Sequence, residues 1–352
     1  MLEGTLRRFC HGFAGLIVLS AVGIMAVASG VLAGDRALAF VGVNLAGAEF
    51  GNSNLPGKYG VEYTYPTDAE ISYFTAKGMN VFRLPFRWER LQRQLYTPLD
   101  PRELSRIRAF VDRAGRAGAA VILDPHNYAR YHGHVIGAGG STGPVPAAAF
   151  ADFWARLAAE FGTDQNVIFG LMNEPHDMTA RLWLQDANAA IAAIRRVGAE
   201  QLILVPGIDW SGAHSWTMAK DGSLNARVMQ NIHDPGNNFA YEAHQYLDAD
   251  KSGKSPRCVS AAIGRERLRG FTRWLQQHNA RGFLGEFAGG RNDRCLRALD
   301  NMLTYMDENS DVWLGWTYWA AGPWWDDYIF TLEPVNGVDR AQMAVLARHM
   351  GH

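Results

Sequence analysis

After Gly34 the chain alternates short, nearly continuous apolar runs with longer stretches whose apolar positions recur at the helical period. The runs are Phe40–Leu45, Asn80–Pro85, Ala119–Asp124, Val167–Asn173, Leu202–Pro206, Ala240–Tyr246, Gly282–Phe287 and Val312–Trp319. A strand covered on both faces needs continuous rather than alternating apolar character, so these runs predict parallel strands. Helical patterns occupy Asp68–Lys77, Pro101–Ala117, Ala147–Phe161, Thr179–Ala199, Ser260–Asn279, Asp293–Glu308 and Asp339–His349. The stretch after the fifth run is rich in Gly, Ser and Asn and predicts the least helix. Eight strand-then-helix units predict an α/β fold, a single (β/α)8 TIM barrel over residues 40–352. An open nucleotide-binding sheet would want GxGxxG after its first strand. The chain has Leu45-Ala46-Gly47-Ala48-Glu49-Phe50-Gly51 there, which lacks that spacing.

Residues 1–39 stand apart from this pattern. Arg7 and Arg8 precede a stretch, Phe13–Ala33, that is apolar or small throughout. This predicts an export signal peptide or an N-terminal membrane anchor. The stretch is long for a signal-peptide core and close to the length that spans a bilayer. Small residues from Ala26 to Ala39 offer cleavage sites. If cleaved, the protein is secreted or periplasmic. If not, residues 13–33 anchor it and the positive-inside rule places the rest outside. Cys258 and Cys295 are the only cysteines beyond the segment that holds Cys10. In an exported chain such a pair predicts a disulfide, with two separate buried thiols as the alternative.

Composition narrows the function. The chain has 34 Lys plus Arg against 35 Asp plus Glu, a formal net charge of -1, and no basic run. Nucleic acid is therefore not an expected partner, and membrane contact is expected only through an uncleaved N-terminal segment. Three cysteines without a CxxC pair argue against structural zinc. The excess is aromatic, with 11 Trp, 12 Tyr and 17 Phe, which favours flat apolar ligand faces such as sugar rings. No appended binding module is visible, and the chain reads as a monomer.

A barrel carries its site where its strands end, and those ends are unusually polar here. They read Arg83-Leu84-Pro85-Phe86, Asp124-Pro125-His126-Asn127-Tyr128, Asn173-Glu174-Pro175, His244-Gln245-Tyr246, Gly285-Glu286-Phe287 and Tyr318-Trp319. Glu174 and Glu286 thus cap two strands on one rim. Either alone could be a helix cap or an ion-pair partner. Together they supply what breaking a glycosidic bond requires: one carboxyl to protonate the leaving oxygen and one carboxylate to attack the sugar.

These segments, in order from Phe40 to Trp325, resemble glycoside hydrolase family 5, and within it the secreted endo-β-1,4-glucanases. The resemblance implies that Glu174 is the acid/base and Glu286 the nucleophile of a retaining mechanism. It implies Asn173 as donor to the sugar 2-hydroxyl, Tyr246 as hydrogen-bond partner of Glu286, and Trp319 as the floor beneath the reacting sugar. Arg83 would hold Glu286 ionised, and His126, Asn127 and His244 would line the site, with His244 placed to influence Glu174. The implied partner is a β-glucan, cellulose or a related polymer, and no cofactor is implied. Mannan, another β-glucan or a sugar acceptor are the alternatives, and a non-catalytic sugar-binding barrel is the remaining one.

Trp210, Trp324 and Trp325 are further candidates for sugar platforms, since Asp209, Ser211, Asp326 and Asp327 beside them point to solvent. Trp88 and Trp216 also fall near strand ends, with core packing the alternative. Asp124, His126, His132, His134 and His176 could be assembled on paper into a metal site, but His132-Gly133-His134 has only weak ligand spacing and nothing resembles HExxH, so no metal is expected.

Overall fold

The computed structural model describes residues 37–218 and 224–351. Cys10 and residues 1–36 of the expected export or anchor segment lie outside the described residues. Among those described, no helix is long and apolar enough to cross a membrane.

Eight strands form: β1 (Phe40–Leu45), β2 (Val81–Phe86), β3 (Ala120–Pro125), β4 (Val167–Gly170), β5 (Ile203–Pro206), β6 (Phe239–Tyr246), β7 (Gly282–Ala288) and β8 (Trp313–Ala321). Each pairs in parallel with its neighbour in sequence, and β8 pairs with β1 to close the ring. The expected TIM barrel is therefore the architecture. Around it run α1 (Asp68–Ala76), α2 (Pro101–Arg116), α3 (Ala147–Phe161), α4 (Ala180–Arg196), α6 (Ile263–Gln277), α7 (Asp293–Asp307) and the short α8 (Ala341–Leu346). After β5, among the described residues, only the single turn α5 (Asn225–Val228) and short 3-10 segments form, in keeping with that polar stretch. Local chemistry sets the helix starts. Asp100 accepts from the Arg102 and Glu103 amides ahead of Pro101, and Thr67 with Glu70 forms a capping box on α1.

Alternation along the strands builds the interior in layers. Val81, Ile122, Ile168, Leu204, Ala240 and Phe283 form one buried apolar cluster, with Phe40 and Leu314 packed against it, so every strand contributes. The intervening residues, such as Phe82, Leu84, Val121, Leu123 and Val205, belong to the larger cluster shared with the helices. Two residues further along β2, β3 and β6 from the apolar layer come Arg83, Asp124 and Glu242, all buried. The barrel floor is thus apolar and the layer above it is charged. Two small elements were not expected: a helical turn at Trp88–Leu91, and a two-stranded ribbon of Arg130–Tyr131 with His134–Val135. Trp88 and Trp216 are fully buried and belong to the core.

The expected disulfide is present. Cys258, in the loop after β6, is bonded to Cys295 in the first turn of α7, with Cα atoms 5.2 Å apart.

Candidate active site

The strand ends surround a cleft of 940 Å³, lined by His126, Glu174, Trp210, His244, Tyr246, Glu286 and Trp319 among others. β4 stops at Gly170, short of the expected Asn173, and the chain turns sharply so that Glu174 takes a φ of 40°. A left-handed non-glycine residue costs about 1–3 kcal/mol and persists only where its surroundings hold it. Glu286 lies within β7 and needs no such turn. A carboxylate oxygen of Glu174 and one of Glu286 fall within 4.8 Å of each other, with a ring nitrogen of His244 inside the same distance of both.

Both oxygens of Glu286 have fixed donors. Arg83 Nη1 donates to Oε1 at 3.0 Å and the Tyr246 hydroxyl donates to Oε2 at 2.7 Å. Arg83 is fully buried and also reaches Asp124 at 3.1 Å, Glu242 at 3.1 Å and the Asn173 side-chain oxygen at 2.8 Å. Asn173 therefore presents its oxygen to Arg83, which leaves its buried Nδ2 as a donor with no partner among the described residues. His244 Nδ1 lies 2.8 Å from Glu174 Oε1 and 3.6 Å from Glu286 Oε2.

Burial pushes the Glu286 carboxyl upward, and Glu174 adds to this, while His244 and Arg83 oppose it. Arg83 thus acts in the expected direction, toward the ionised form, while desolvation outweighs it and leaves the carboxyl above its ordinary value. Burial alone would lower His244, but Glu286, Glu174 and Glu242 together push it up to about 10, so it is an imidazolium at neutral pH. Glu174, His244 and Glu286 are close enough to converge on a metal ion.

Not every expected residue meets the cleft. Asn127 is buried behind it, donating from Nδ2 to Glu89 at 2.7 Å and accepting from the Trp88 amide at 2.8 Å. It shapes the loop after β3. His126 stacks on Trp319 with ring centroids 5.5 Å apart. Trp210 is 44% exposed and stacks on His176 at 4.7 Å. Trp324 and Trp325 do not line the cleft. Trp325 packs between Phe50 and Tyr328 with its edge toward Trp319, and Trp324 is exposed.

The sequence reading passed over Glu242 and gave Asp124 no role in the site beyond a paper metal set. Asp124 accepts or shares a proton with His126 Nδ1 at 2.8 Å, and burial pushes its carboxyl up to about 7. A signal for Glu242 was available, because an acidic residue within an apolar parallel strand has to face a buried partner.

A family model described as cellulase, glycosyl hydrolase family 5, matches residues 43–322. The chain is 43% identical over 320 residues to a probable endo-beta-1,4-glucanase B of Aspergillus oryzae, covering 90% of this chain and 92% of that one. A solved endo-beta-1,4-glucanase of Xanthomonas axonopodis pv. citri, carrying three mutations, is 52% identical with a TM-score of 0.87, covering 89% of this chain and 99% of that one. XacCel5A in complex with cellopentaose matches at 52% identity and a TM-score of 0.86, over 89% of this chain and 99% of that one. Fold, ordered motifs and these matches agree: the chain belongs to glycosyl hydrolase family 5, the cellulase family.

Proposed function

We propose that the chain is an endo-β-1,4-glucanase that hydrolyses internal bonds of cellulose or a related β-glucan with retention, using Glu286 as nucleophile and Glu174 as acid/base. The observation that carries this reading is the placement of the two carboxyls within 4.8 Å across the cleft. Retaining glycosidases hold theirs about 5–5.5 Å apart, and inverting ones leave room for a water between them.

In the first step a Glu286 oxygen attacks the anomeric carbon. The bond from that carbon to the leaving oxygen breaks, and the Glu174 proton goes to that oxygen. A glycosyl ester on Glu286 results, and the shortened chain departs. In the second step water attacks the same carbon and passes a proton to Glu174 as Glu286 is released. Two inversions restore the original configuration. Tyr246 and Arg83 fix the attacking carboxylate, and the unpartnered Asn173 Nδ2 is the donor for the neighbouring 2-hydroxyl. The disulfide supports the exported setting expected from the N-terminal segment.

Trp210 follows β5 and Trp319 stands near the end of β8, three strands apart in the ring, and both line the cleft that holds the carboxyls. Two platforms so placed suit a polymer lying across the barrel mouth rather than one chain end in a pocket. Viscosity of a soluble cellulose derivative should collapse while few reducing ends have appeared. A viscosity that falls only in proportion to sugar released would contradict internal cleavage.

A further inference from the structure

We propose that Glu242 is a positioning residue of this reaction: from inside the barrel it holds His244 as a cation against Glu174 and thereby stabilises the charge left on Glu174 when its proton goes to the leaving oxygen. The inference rests on the roles proposed for Glu174 and Glu286.

Along β6, Ala240 belongs to the apolar interior layer, Glu242 follows it inward, and His244 reaches the rim. Glu242 Oε1 lies 3.4 Å from His244 Nε2, while His244 Nδ1 lies 2.8 Å from Glu174 Oε1. Each ring nitrogen thus faces a carboxylate. Once Glu174 has given up its proton, only the doubly protonated ring can donate to both, since a neutral ring would turn a lone pair toward one of the anions. The adjacent strand is hollowed for this arrangement. A Cβ on Gly285 would sit 2.1 Å from Glu242 Oε1, so glycine directly before Glu286 is what seats Glu242 in the barrel.

The surrounding charges keep Glu242 ionised. Arg83 Nε from β2 lies 3.1 Å away. Asp124 from β3 is the further anion on Arg83, and Glu174 and Glu286 face His244 from the ends of β4 and β7. Burial pushes Glu242 up, but Arg83 and His244 more than offset it and hold the carboxyl below its ordinary value. His126 and Tyr246 complete the rim, with His126 driven neutral by burial and Tyr246 retaining its proton.

A cation at Glu174 stabilises the carboxylate left behind when the proton departs to the leaving oxygen. Glu286 cannot supply the counter-charge throughout, because esterification removes its negative charge. Glu242, which the sugar does not esterify, is the anion that keeps His244 charged through the second step.

The test is Glu242→Gln, a change that keeps size and removes charge. Nitrogen NMR of His244 should show both nitrogens protonated at pH 7 in the wild type, and titration lower by about one pH unit or more in the variant. The alkaline limb of kcat/KM should move to higher pH, because Glu174 loses its neighbouring cation and keeps its proton longer. Aryl cellobiosides with poor leaving groups should lose about tenfold or more in kcat/KM, while the dinitrophenyl cellobioside, whose leaving group departs without a proton, stays within about twofold. Equal loss on all substrates with an unmoved limb would overturn the proposal. So would a neutral His244 at pH 7 in the wild type, which decides the matter even if the variant does not fold. Failure of the wild type to cleave any cellobioside would instead count against the proposed function, and the charge of His244 would still be readable.

Discussion

Each oxygen of Glu286 has its own donor, one from Arg83 and one from Tyr246, and the carboxyl is still pushed above its ordinary value because burial is the largest influence on it. Two consequences follow at this residue. Attack requires the ionised form, so kcat/KM should fall on the acid side with a midpoint above about 4.3, the value of an ordinary Glu. The folded state also holds the Glu286 proton more tightly than the unfolded chain does. An acid with a raised folded pKa makes stability rise as pH falls from that pKa to the unfolded value, and above the folded pKa the ionised group weighs against the fold. Glu286→Gln should therefore abolish turnover and raise Tm at pH 7. A kcat/KM profile whose acid limb lies at or below the ordinary Glu value, or a variant that melts earlier than wild type, would contradict this account of the residue.

At the scale of elements, the strands were legible and their ends less so. Both faces of each parallel strand are covered, one by the barrel interior and one by helices, so Val81–Phe86 and Ala120–Pro125 read as continuous apolar runs. Strand ends depend on where hydrogen bonding stops, which hydrophobicity does not report. Thus β4 gives way before Met172 and Asn173, although both continue the apolar or buried pattern. The ribbon near Arg130 and the turn at Trp88 are too short to carry a period. The disulfide was readable from the count of cysteines beyond the N-terminal segment, and its place explains its use. It ties the loop after β6 to the start of α7, on either side of the strand that carries Glu286. Closing a separation of 37 residues contributes roughly 3–4 kcal/mol in the chain-entropy account. Replacing both cysteines by serine should lower the urea-unfolding free energy by about that amount, while the folded fraction keeps its activity at 25 °C. A loss under about 1 kcal/mol would show that the bond constrains little of the unfolded chain.

For the whole molecule, the barrel brings together residues far apart in the chain by stacking one layer of chemistry on another. An apolar floor with a contribution from every strand supports a buried charged layer of Arg83, Asp124 and Glu242, and the rim above it carries Glu174, His244, Tyr246 and Glu286. The rim was legible because polar residues ending apolar strands need a reason. The charged layer beneath was only partly legible. Asp124 stands next to the end of its strand and Arg83 opens a polar-looking strand end in the sequence, whereas Glu242 lies mid-strand, and its match to Gly285 exists only once β6 and β7 are side by side. Aromatic residues were the least decidable from sequence. Trp210 and Trp319 line the cleft while Trp88 and Trp216 fill the core, a division set by which way each loop turns. The central claim is that Glu286 forms a covalent bond to the sugar while Glu174 moves the proton. Trapping with a 2-deoxy-2-fluoro-β-cellobioside bearing a dinitrophenyl leaving group tests it most directly, because the fluorine slows release of the glycosyl enzyme. Mass spectrometry of the digested protein should find one added fluorocellobiosyl group, on the peptide containing Glu286 and on that side chain. A label on Glu174 or elsewhere, or turnover of the unfluorinated cellobioside with inverted product and no trapped adduct, would contradict the account.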